Sequence, residues 1–118
     1  MSVDLTGFGH QESATVTGDK TLAITDQGVV QDVTADATIT LPATVVGYSF
    51  TVRVGAAGLT VAVSPNASDL IAGNGFTAAD NKDLLFTNQP AGSFVTLVGN
   101  GTTGWNVTAI SGTATREA

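Results

Sequence analysis

Cysteine is absent from this sequence, which excludes disulfides and thiolate metal sites. Histidine occurs once, as His10 between Gly9 and Gln11. It has no second histidine and no cysteine with which to complete a zinc site or an activated nucleophile, so it reads as a solvated residue. Charge is scarce: Asp, Glu, Lys and Arg make up 12% of the chain, about half the usual share. The basic residues are Lys20, Arg53, Lys82 and Arg116, and the net charge is −6. Such a chain is repelled by a phosphate backbone, so no nucleic-acid partner is expected. The longest apolar runs are a few residues, far short of a membrane span. The start, Met1 to Gly7, has neither a basic nor an apolar region, so no signal peptide is expected. Aromatics contribute 6% and are scattered, too few for a sugar-stacking platform.

What remains is a chain of 118 residues, 42% apolar, with 14 glycines, a size that fits one domain with its own core. Threonine, valine and isoleucine dominate its periodic segments, and β-branched types suit a pleated surface better than a helix. Gly, Asn and Asp punctuate these segments at intervals typical of short strands. Strands are expected at Lys20 to Ile24 (Leu22 and Ile24 on one face), Gly28 to Val33 and Ala37 to Leu41. Others are expected at Tyr48 to Val54, Leu59 to Val63, Asp69 to Ala72, Asp83 to Thr87, Ser93 to Val98 and Trp105 to Ile110. Pro42 ends the third by removing a ladder donor, and residues 99–104 read as a glycine-rich hairpin loop. No helical period and no internal repeat stands out. The fold class expected is all-β, a small antiparallel β-sandwich or barrel of about eight or nine short strands. Residues 1–18 read as an extended N-terminal arm, 19–110 as the β module, and 111–118 as a polar C-terminal tail.

The carboxylates offer little chemistry. Asp19, Asp26, Asp36, Asp69, Asp80 and Asp83 fall in turns, where Asp ordinarily accepts local backbone hydrogen bonds. Glu12 and Glu117 lie in the terminal segments. No carboxylate interrupts an apolar strand face, where an acid/base pair with a raised pKa would sit. The run Asp80-Asn81-Lys82-Asp83 has no glycine for a calcium loop and carries an opposing lysine. Asn66-Ala67-Ser68, Asn100-Gly101-Thr102 and Asn106-Val107-Thr108 match the glycosylation triplet and read as chance matches in a Thr-rich chain. Trp105 opens an alternating strand and is expected to pack across the core. No catalytic, cofactor or metal residue is therefore expected.

From Leu22 to Ile110 the chain resembles a β module of bacteriophage virion proteins, found in head decoration proteins and tail fibres. The residues that carry the resemblance are Thr25-Asp26-Gln27-Gly28-Val29-Val30, Ala37-Thr38-Ile39-Thr40-Leu41-Pro42 and Gly47-Tyr48-Ser49-Phe50-Thr51-Val52-Arg53-Val54. After them come Leu59-Thr60-Val61-Ala62-Val63-Ser64-Pro65, Asp69-Leu70-Ile71-Ala72-Gly73, Gly92-Ser93-Phe94-Val95-Thr96-Leu97-Val98 and Asn100-Gly101-Thr102-Thr103-Gly104-Trp105-Asn106-Val107. The resemblance implies a structural virion protein without catalysis. Met1 precedes the module by only a short arm, which favours a capsid decoration (cement) protein over a fibre or receptor-binding module. A carbohydrate-binding or carbohydrate-active domain is the remaining alternative. The decoration reading implies a homotrimer bound to the major capsid protein on the outer surface of the head, assembled in the host cytoplasm, with no membrane partner. Val3, Leu5 and Phe8 are spaced to anchor an extended arm on a neighbouring subunit or the capsid by strand addition.

Overall fold

The computed structural model describes residues 12–73, 75–76 and 81–117. Its strands are β1 (Ser13–Val16), β2 (Lys20–Thr21), β3 (Val30–Val33), β4 (Ala37–Thr40), β5 (Ser49–Val54), β6 (Thr60–Ser64), β7 (Leu70–Ala72), β8 (Leu84–Thr87), β9 (Phe94–Gly99), β10 (Gly104–Ser111) and β11 (Thr115–Arg116). They form two sheets. Sheet A has the order β1-β3-β5-β9-β10-β7, and sheet B has the order β11-β8-β6-β4-β2. The all-β sandwich expected from the alternation is thus the observed architecture.

Strand direction departs from the expected antiparallel arrangement. β1, β3 and β5 are parallel to one another in sheet A, as are β2, β4 and β6 in sheet B. The chain alternates between sheets, so β1–β2, β3–β4 and β5–β6 are three stacked coils. Thr34 N–H donates to Val16 O at 2.9 Å and Gly55 N–H to Val33 O at 2.7 Å, joining successive coils at one corner. Leu22 N–H reaches Thr40 O and Leu41 N–H reaches Ser64 O, both at 2.8 Å, at another. This is a structural repeat where none was expected, and it has a short echo in sequence: Val16-Thr17-Gly18-Asp19-Lys20-Thr21-Leu22 against Val33-Thr34-Ala35-Asp36-Ala37-Thr38-Ile39. Two copies of so ordinary a pattern do not register as a period.

The second half closes the stack with antiparallel strands. β9 pairs with β5, β8 with β6 and β10 with β9, while β7 lies parallel to β10 at the far edge of sheet A. The β9–β10 hairpin expected around residues 99–104 is present. Asn100 organises it: its Oδ1 accepts the N–H groups of Thr102, Thr103 and Gly104 at 2.9, 2.9 and 3.0 Å. Gly104 has φ +154°, and its Cα lies directly against the Leu70 backbone, so no side chain fits there.

The core lies between the sheets. Phe50, Val52 and Val54 of β5, Val61 and Val63 of β6, and Val95 and Leu97 of β9 are fully buried, as the period of two requires. Trp105 is also fully buried, its ring 5.5 Å from that of Phe50 at 57°, so it packs across the core as expected. A bulge between Val107 and Ala109 shifts the phase of β10. Trp105 and Val107 face inward before it, and Ile110 packs against the core after it.

Three segments differ from the sequence reading. Ile24 begins a 3-10 turn, Ile24–Asp26, which rotates it off the Leu22 face, leaving it 57% exposed while Leu22 is buried. Residues 13–16, read as arm, are strand β1, whose Val16 belongs to the core cluster. Residues 115–116, read as tail, pair with β8 as β11. Both strands are too short and polar for alternation to reveal them, and neighbouring strands supply what local propensity does not.

Candidate functional site

The two outer sheet faces present the chain's exposed chemistry. On sheet A, β3, β5 and β9 alternate so that Val30, Asp32, Ser49, Thr51, Arg53, Phe94, Thr96 and Val98 point away from the core. The registers set Val30, Thr51, Thr96 and Ala109 in one row, and Asp32, Arg53, Phe94 and Ser111 in the next. Thr51 and Thr96 hydrogen-bond through their hydroxyls at 2.9 Å. Arg53 pairs with Asp32. The rest of these rows is Thr, Ser, Val, Ala and one Phe, a surface with little charge to desolvate.

Sheet B carries a shallow recess of about 350 Å3 lined by Asp19, Asp36, Ala37, Thr38, Thr60 and Ala62. Its two carboxylates are already engaged. Asp19 Oδ1 accepts the Thr38 N–H, and Asp36 Oδ1 accepts the Thr60 N–H, each at 2.9 Å. Asp69 Oδ2 accepts the Thr44 N–H at 2.9 Å in the same way. The turn aspartates do accept backbone hydrogen bonds, but these three reach 19, 24 and 25 residues along the chain rather than locally. Asp26 by contrast is local, accepting the Ala23 N–H at 2.9 Å. The sequence residue type was informative, but the partner was not, because it sits on the next coil for Asp19 and Asp36 and on an earlier segment for Asp69.

Among the described residues no group of three or more His, Asp or Glu is placed to hold a metal ion. Glu117, read as part of a loose tail, is tied to Asp83: Asp83 N–H donates to Glu117 Oε1 at 2.8 Å and Glu117 N–H to Asp83 O at 2.9 Å. The large apolar side chains most exposed among the described residues are Ile24, Val45 and Val46, all at corners where the chain returns from sheet B to sheet A. Val3, Leu5, Phe8, His10 and Asp80 lie outside the described residues.

Lys20 was missed. Its register row continues through Ile39, Val63 and Leu84, all buried, so its side chain enters the sandwich from β2. There Nζ donates to Gln31 Oε1 at 2.7 Å and lies 3.3 Å from Asp26 Oδ1. The signal was present: Lys20 shares parity with Leu22. Comparison with protein-family profiles, with curated proteins and with solved structures returns no match.

Proposed function

We propose that this chain is a bacteriophage head decoration protein, a non-catalytic module that binds the outer surface of the capsid as a homotrimer and ties neighbouring capsid subunits together. The observation that carries the reading is the outer face of sheet A. Across Val30, Thr51, Thr96, Val98 and Ala109 it is uncharged, with the Asp32–Arg53 pair as the charged group of the adjoining row. A surface with few ions to strip of water suits lasting protein–protein contact. The resemblance from Leu22 to Ile110 supports the same class. Val3, Leu5 and Phe8 are proposed as partner contacts, and they enter the reading as sequence only.

The test is a protein inventory of purified virions separated into heads and tails. Copies on the head in large excess over any on the tail are expected. A few copies confined to the tail would replace this reading with the fibre module. Sugar turnover lost on changing one carboxylate would replace it with an enzyme.

A further inference from the structure

The first coil, β1 and β2, ends both sheets: among the described residues nothing pairs with its outer side. An open end of a parallel β-stack is a template for another chain, and natural proteins block such edges by pointing a charge inward. Two copies meeting at this end about a twofold axis would continue both sheets at once, the self-complementary arrangement that favours dimers.

Lys20 stands at that end. The row it heads runs through Ile39, Val63 and Leu84, all apolar, to Arg116 at the opposite edge. Opposite, Gln31 interrupts the sheet A row of Ala14, Val52, Val95 and Ile110. Gln31 is fully buried, and both its polar atoms are used: Oε1 accepts from Lys20 at 2.7 Å, and Nε2 donates to Val29 O at 3.2 Å. Asp26 holds the lysine from the corner at 3.3 Å, while its second oxygen accepts the Ala23 N–H. The ammonium thus lies across the mouth of the sandwich, with its side chain still about a third exposed.

We infer that the outer end of the first coil is a blocked homotypic interface, and that Lys20 is the plug that keeps a second copy of this chain from stacking there. A second copy would have to bury the ammonium and its Asp26 partner, which are 32% and 18% exposed, away from water, which disfavours the contact. An isoleucine at position 20 would extend the apolar row to the edge and remove that obstacle. This inference goes beyond the proposed function and stands without it.

The test uses the full chain and three variants: Lys20→Ile, the double variant Lys20→Leu/Gln31→Leu, and Lys20→Arg. Light scattering and sedimentation are read against the unmodified protein over a range of concentrations, with far-UV circular dichroism to report the fold. The apolar variants are expected to remain folded and to show a concentration-dependent rise in mass, roughly twofold at saturation. Lys20→Arg is expected to keep the parental mass. Apolar variants that stay folded at the parental mass overturn the inference. So does unfolding of both apolar variants, because Lys20 would then serve the fold rather than its association.

Discussion

A methyl group at position 104 is the most informative single perturbation of this fold. Gly104 opens β10, pairs with Leu70 of the edge strand β7 and has φ +154°. Two costs combine in Gly104→Ala. An L-residue in this region of backbone space carries strain of about 1–3 kcal/mol. The added Cβ would also fall on the Leu70 backbone, and overpacking at a rigid contact costs about 1–3 kcal/mol more. The expected loss is therefore roughly 2–6 kcal/mol, relieved in part by pushing β7 away and uncovering Ile71, which is 4% exposed. Gly28→Ala is the control, since Gly28 also has a positive φ (+79°) but nothing within 4 Å of an added Cβ. It should lose only the left-handed backbone cost of about 1–2 kcal/mol. Urea unfolding followed by circular dichroism and by Trp105 fluorescence reads both. With slopes of about 1–3 kcal/mol per molar, the Gly104→Ala midpoint should fall by roughly 1–3 M. A Gly104→Ala variant no less stable than Gly28→Ala would refute the close β7–β10 contact on which the estimate rests.

Asp19→Ala and Asp36→Ala should each destabilise by about 0.5–1.5 kcal/mol, because each removes the acceptor for a strand N–H on the next coil. The two latches serve different strands, so the double variant should equal their sum to within about 0.5 kcal/mol; a larger departure in urea titrations would show that they act as one unit. The Asp32–Arg53 pair is solvent-accessible, with side chains 25% and 40% exposed. Arg53→Gln should therefore cost under about 1 kcal/mol in low salt, and the difference should vanish in 1 M NaCl, where screening acts within about 3 Å. A loss unchanged by salt would mean that Arg53 contributes by packing.

Alternation made the strands visible wherever one face is buried. Tyr48 to Val54 was legible because Phe50, Val52 and Val54 are all in the core; the structure trims only its first residue. The aspartates were legible as backbone acceptors by residue type. The functional surfaces were less so. The outer face of sheet A is assembled from β3 and β5, whose neighbours in sequence lie in the other sheet, and β9, which follows β8 of that other sheet. Lys20 was visible by parity with Leu22, but its destination depends on Gln31 standing opposite in sheet A.

By itself the sequence determined the class: β-branched alternation and frequent turns permit little else, and the absence of cysteine and of a second histidine removes whole families of chemistry. Only the tertiary structure decided strand direction, sheet membership and which of the described strands stand at the sheet edges. A period of two is the same in parallel and antiparallel strands and in either sheet. Pairing is settled instead by contacts between distant segments, as when Val16, Val33 and Val54 stack in successive coils. These contacts gain apolar burial only once the coils are formed together, so no local window of the chain carries them.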